Sequence, residues 1–109
     1  MFTELSLHPQ SLGPTAMGSR ARAAQFREKL EAALDAGDRV VLDFDGVEAT
    51  QSFVDELIGV VVLDRGPSIL QTVSFRKCSQ DMKGIINFVL GDRSRQFAAR
   101  KPSPDLVAA

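Results

Sequence analysis

Residues 39–44, Arg-Val-Val-Leu-Asp-Phe, limit what this chain can become more than any other segment. The run is short, β-branched and bounded by Gly37 and Gly46, the signature of a strand buried on both faces of a sheet. Before it, residues 20–36 place Ala23, Phe26, Leu30, Ala33 and Leu34 at helical spacing, with Arg22, Arg27, Glu28, Lys29 and Glu31 on the other side and Gly37 closing the helix. After it, Ser52 opens a second helical segment, in which Phe53, Leu57, Val60 and Val61 form one apolar stripe and Val54, Ile58 and Val62 another. One sheet face needs a single stripe, so the second calls for a further covering element or a partner. Residues 70–75 read as another strand. Ser79 then caps a third helix, whose Met82, Ile85, Ile86, Val89 and Leu90 keep a core-facing period up to Gly91. Residues 2–7 alternate loosely, as a short edge strand does. The order strand, helix, strand, helix, strand, helix predicts an α/β fold with a mostly parallel central sheet and helices after the strands.

The 109 residues fit a single domain with its own core, expected over residues 1–95, with 96–109 as a mobile C-terminal tail in which the apolar pattern fades. At 44% apolar and 25% charged residues the chain is expected to fold as a soluble globular protein. Thirteen Lys and Arg stand against fourteen Asp and Glu, which is no electrostatic footprint for nucleic acid. Cys78 is the sole cysteine, so neither an internal disulfide nor a cysteine-rich zinc site can form, and no cofactor is expected. The opening Met-Phe-Thr-Glu-Leu-Ser-Leu-His lacks the basic and apolar regions of a signal peptide, and no apolar run approaches a membrane span. The expected location is the cytoplasm.

Asp43-Phe44-Asp45-Gly46 follows the strand and resembles the Asp-x-Asp motif of haloacid-dehalogenase-like phosphatases. A phosphatase of that kind requires further groups to hold phosphate and Mg²⁺, and here the acids late in the chain, Asp81, Asp92 and Asp105, are scattered singly. Structural carboxylates at a strand end, accepting backbone N–H groups, are the favoured reading, with a Mg²⁺-dependent phosphohydrolase using Asp43 and Asp45 as the alternative.

The strand, the turn Asp43-Phe44-Asp45-Gly46-Val47 and the helix opening at Gln51-Ser52 together resemble the STAS domain of anti-sigma-factor antagonists. Residues 13–20, Gly-Pro-Thr-Ala-Met-Gly-Ser-Arg, residues 42–59 with their Ser-Phe-Val-Asp-Glu-Leu core, and residues 73–79 are more similar still to a smaller STAS-like family of unknown function, the DUF4325 type. The resemblance implies a non-catalytic interaction module in bacterial signalling. It also implies a partner-switching role, in which a histidine-kinase-like ATPase phosphorylates the helix-opening serine, here Ser52, and the added charge blocks docking. Gln51 replaces the usual Asp, and Asp55 with Glu56 replaces a small Gly-rich helix start; a phosphate on Ser52 would meet those two carboxylates. The plain reading of Ser52 is a helix N-cap with Asp55 three residues on.

The partner-facing surface is expected where the loop of residues 13–20, the Asp43–Ser52 turn and the second helix converge. Its candidate residues are Gly13, Thr15, Ser19, Arg20, Asp45, Gln51, Asp55 and Glu56, with Val54, Ile58 and Val62 as spare apolar surface for a partner or for a homodimer. Residues 13–20 also invite a nucleotide-sensing reading, weakened by the lack of a Lys-Ser/Thr ending. Asp55 and Glu56 diverge by about 100° on a helix, so they cannot form a catalytic pair; one is expected to reach Arg20 or Arg76 and the other to face solvent or a partner. His8 reads as a surface residue and Cys78 as a buried or half-buried structural thiol, while Phe44, Phe53, Phe75 and Phe88 read as core. Ser19 is the expected cap of the first helix.

Overall fold

The computed structural model describes residues 2–7 and 20–100. Residues 8–19, with His8, Gly13, Thr15 and Ser19, and residues 101–109 of the expected tail lie outside the described residues. Among the described residues three strands and four helices follow in the order β1 (Phe2–Ser6), α1 (Arg20–Asp35), β2 (Arg39–Asp43), α2 (Gln51–Val54), α3 (Val60–Arg65), β3 (Val73–Arg76) and α4 (Gln80–Arg100). A π-helical turn, Asp55–Gly59, joins α2 to α3 without a break, and a 3₁₀ turn, Pro67–Gln71, leads into β3. The sheet is parallel throughout, in the order β1-β2-β3, so the α/β reading holds.

Alternation along the strands separates the two faces of the sheet. Leu5, Leu42 and Phe75 stand in one cross-strand row, Val40 and Val73 in the next, and Phe44 with Leu7 closes the top of the core. The opposite face carries Phe2, Glu4 and Ser6, then Arg39, Val41 and Asp43, then Ser74 and Arg76, all exposed or half-buried. An ion pair of 3.3 Å joins Arg76 to Glu4 across that face. β2 is therefore buried on one face, not both. Its charged ends and half-exposed Val41 look outward, because the helices cover a single side of the sheet.

Ala23, Phe26, Leu30 and Ala33 turn α1 into the core, with Leu34 half-buried beside them. Gly37 ends α1 at φ 82°, and its N–H reaches Leu34 C=O while Asp38 N–H reaches Ala33 C=O, both at 3.0 Å, a pairing that needs the left-handed residue. Strand β3 starts later than the expected residue 70, because Pro67 opens a 3₁₀ turn that consumes Ser68 to Gln71. Ser79 caps α4 as expected, its Oγ accepting Met82 N–H at 3.1 Å.

Two expectations fail, one along the helical stretch from Gln51 to Arg65 and one at the end of α4. Val54, Ile58 and Val62 are not spare surface; all three are fully buried, as are Phe53, Leu57 and Val61. The covering element is α4, which runs nine residues beyond Gly91 to Arg100, so that residues 96–100 are its closing turns and not a tail. Helix α1 covers the other side, with Phe26 edge-on to Phe53 at 6.3 Å. Close approach of α4 depends on Gly59, where a Cβ would come within 3.0 Å of Val89 and 3.2 Å of Arg93. Phe97 packs in the same way over Gly66, which also sits at φ 92°. Among the described residues no helix is long and apolar enough to cross a membrane.

Candidate functional site at the head of the second helix

Thr50 caps α2. Its backbone is extended (φ −76°, ψ 163°) and its hydroxyl accepts Phe53 N–H at 3.1 Å, so the capping role expected of Ser52 belongs two residues earlier. Both Thr50-x-x-Phe53 and Ser52-x-x-Asp55 satisfy the spacing of a cap. The bond from Phe53 N–H to the Thr50 hydroxyl selects the first. Ser52 is left as an exposed residue of the first turn, and its hydroxyl makes no hydrogen bond among the described residues.

A shallow cleft of about 200 Å³ opens over Ser52, lined by Arg20, Gln51, Asp55, Asp92, Arg93 and Gln96 as well. Four candidates named from sequence, Arg20, Gln51, Ser52 and Asp55, thus converge, and Glu56 stands directly behind Arg20. The α4 residues were missed, since the helix was expected to end near Gly91. A signal for them exists in the spacing: Phe97 continues the Met82, Ile86, Val89 stripe, with Arg93 occupying the intervening position.

The two adjacent acids of the π turn each reach a different flanking helix. Asp55 holds Arg93 of α4 through two bonds, Nε at 2.7 Å and Nη2 at 2.6 Å. Glu56 holds Arg20 of α1 at 2.8 Å and also Arg27, whose guanidinium donates to both its carboxylate and its backbone carbonyl. Asp55, Glu56, Arg27 and Arg93 are each only about one-fifth exposed. The bond from Arg27, with Arg20 behind it, holds the Glu56 carboxyl below its ordinary range against the opposing effect of burial. The bond to Asp55 raises Arg93 further above its already high value. Neither acid is left facing solvent, and Arg76 is taken by Glu4. The carboxylates that looked hostile to a phosphate on Ser52 are neutralised by their own arginines, and two of those cations, Arg20 and Arg93, line the cleft itself.

Asp43 and Asp45 do not line this cleft. Asp43 Oδ1 accepts the N–H of Asp45 at 2.9 Å, closing the turn as the structural reading of that carboxylate expects, and Asp45 is exposed. Among the described residues there is no group of three or more His, Cys, Asp or Glu placed to hold a metal ion. Cys78 is half-buried, its thiol pushed up by burial and in contact with Arg76 C=O, an environment that does not favour the thiolate. Phe44 and Phe53 are buried and Phe75 half-buried, but Phe88, expected in the core, is 55% exposed on the outer side of α4.

No curated protein and no solved structure matches this chain. A family model does match, that of a STAS-like domain of unknown function, DUF4325, over residues 22–83. The matched span runs from α1 through β2, the Asp43–Ser52 turn, the π turn and β3 to the first turn of α4, and with more than half of the sequence covered the chain belongs to this family of STAS-like domains.

Proposed function

We propose that this STAS-like domain is a non-catalytic interaction module whose binding surface surrounds Ser52, and that a histidine-kinase-like ATPase switches it by phosphorylating that serine. One observation carries the reading: Thr50 does the capping, so an exposed Ser52 hydroxyl with no structural task lies in a cleft with Arg20 and Arg93. In the transfer, Ser52 Oγ takes the γ-phosphoryl group of ATP, ADP leaves, and the hydroxyl proton passes to the kinase. A phosphoserine adds about 1.5–2 negative charges at neutral pH, enough to draw both guanidinium groups towards it. Arg93 would then be shared with Asp55 and Arg20 with Glu56, so modification changes both the charge of the docking surface and the hold of α4 on the π turn. Asp45 and Gln51, exposed at the same strand-to-helix connection, belong to the surface a partner meets.

The test is complex formation with the histidine-kinase-like ATPases of the native host, measured by titration calorimetry. Unmodified protein and Ser52→Ala bind alike, whereas Ser52→Glu weakens binding. Equal affinity of all three overturns the switch. Turnover of a generic phosphate ester with Mg²⁺ that Asp43→Asn abolishes overturns the non-catalytic assignment.

A further inference from the structure

Strand β3 is one edge of the sheet among the described residues. Val40 N–H donates to Thr72 C=O at 2.8 Å and Phe44 N–H to Arg76 C=O at 2.9 Å, which sets the phase of the ladder. In a parallel ladder of that phase Ser74 and Arg76 direct their backbone groups at β2, so those of Val73 and Phe75 point away from it. Neither residue has a hydrogen-bond partner for these groups among the described residues. An unpaired edge of this kind is a template for one more strand.

Beside the edge, between β3 and α4, runs a groove of about 540 Å³. Phe75, Ile86 and Leu90 supply its apolar floor, and Lys77, Cys78 and Lys83 line the end at which β3 hands over to α4. Lys77 and Lys83 are exposed and form no ion pair among the described residues. Among the described residues no carboxylate lines the groove; Asp43, the acid that acts on Cys78 from nearby, spends an oxygen on its own turn.

We propose that this edge and groove receive an extended peptide of another protein, paired to Val73 and Phe75 by its backbone, with apolar side chains at alternate positions and a carboxylate at the end beside Lys77 and Lys83. An added strand has period two, so alternate side chains fall on the Phe75, Ile86 and Leu90 floor while the backbone supplies the missing hydrogen bonds. The charge at one end selects the occupant. A second copy pairing along the same edge presents Arg76 and Lys77 and offers no carboxylate. The groove shares no lining residue with the Ser52 cleft, so the inference stands or falls separately from the phosphorylation switch.

The experiment is selection of short random peptides displayed against the immobilised full chain, followed by backbone amide exchange of the free and bound protein. Selected sequences are expected to alternate apolar residues and to carry Asp or Glu at one end. Their binding protects the Val73 and Phe75 amides, and it weakens about tenfold or more in the Lys77→Glu/Lys83→Glu double variant. Both lysines are exposed, so that variant folds, and unchanged thermal unfolding verifies it. Four results each overturn the proposal: no acidic-apolar enrichment, affinity indifferent to the charge reversal, protection mapped elsewhere, or Val73 and Phe75 amides already protected in the free chain. In the last case, protection that disappears on deletion of residues 101–109 assigns the edge to the chain's own segment. Protection that rises with protein concentration assigns it to a second copy.

Discussion

Replacing Thr50 by Ala removes the oxygen that accepts Phe53 N–H at 3.1 Å and leaves that donor at the open end of the helix. Cap deletions of this type cost about 0.5–2 kcal/mol. Thr50 is exposed, so water can replace the lost acceptor, which places the expected cost near the middle, about 1 kcal/mol. For a domain of this size that lowers the melting temperature by roughly 4–8 °C. Ser52→Ala removes a hydroxyl without a partner from the first turn and substitutes the best helix former, so its stability should stay within about 0.5 kcal/mol of the parent. Thr50→Ser keeps the accepting oxygen and should recover most of the loss. Urea unfolding followed by circular dichroism measures all three variants at constant slope. If Ser52→Ala loses as much as Thr50→Ala, Ser52 is the cap, its hydroxyl is occupied, and the argument for a free modifiable serine collapses.

Ile58→Ala empties a fully buried core site and should cost about 2–5 kcal/mol by urea unfolding, where a spare surface position would cost almost nothing. Asp55→Asn weakens the hold on Arg93 while keeping the shape; a double-mutant cycle with Arg93→Gln should report a coupling of about 1–2 kcal/mol, between the exposed and buried limits for such pairs. The Glu56 carboxyl lies below its ordinary value of 4.5 in the folded chain, chiefly through Arg27, so its stabilising effect is complete above that value and disappears as pH falls through the folded pKa. Unfolding midpoints of the parent and Glu56→Gln should therefore differ by a constant amount near neutrality and converge below pH 4.5, and a gap that widens in acid would refute the ion-pair account.

Much of the architecture is legible in local pattern, because α1, β2 and the helix after it each carry a periodicity that a single face must bury. The errors arise where tertiary contacts override that pattern. Residues 92–100 lack a continuous apolar period, yet they stay helical because Arg93 finds Asp55 and Phe97 finds Gly66, partners some forty and thirty residues away in sequence that no local window contains. The same extension of α4 explains why Val54, Ile58 and Val62 are covered. The sequence points to Ser52 as the cap, and the bond from Phe53 N–H to the Thr50 hydroxyl moves that role two residues earlier. The π turn was also invisible, since Asp-Glu-Leu-Ile-Gly reads as ordinary helix; it is marked by the two acids clamping α1 and α4. The Ser52 neighbourhood was therefore located from sequence through Arg20, Gln51, Asp55 and Glu56, but its α4 wall was not.

Incubation of the full chain with the histidine-kinase-like ATPases of the native host and ATP, followed by site-resolved mass spectrometry, tests phosphorylation of Ser52 most directly. The account predicts one added phosphoryl group on Ser52, absent from Ser52→Ala and unaffected by Thr50→Ser. A chain that remains unmodified, or that carries the phosphate at Thr50 or elsewhere, contradicts it.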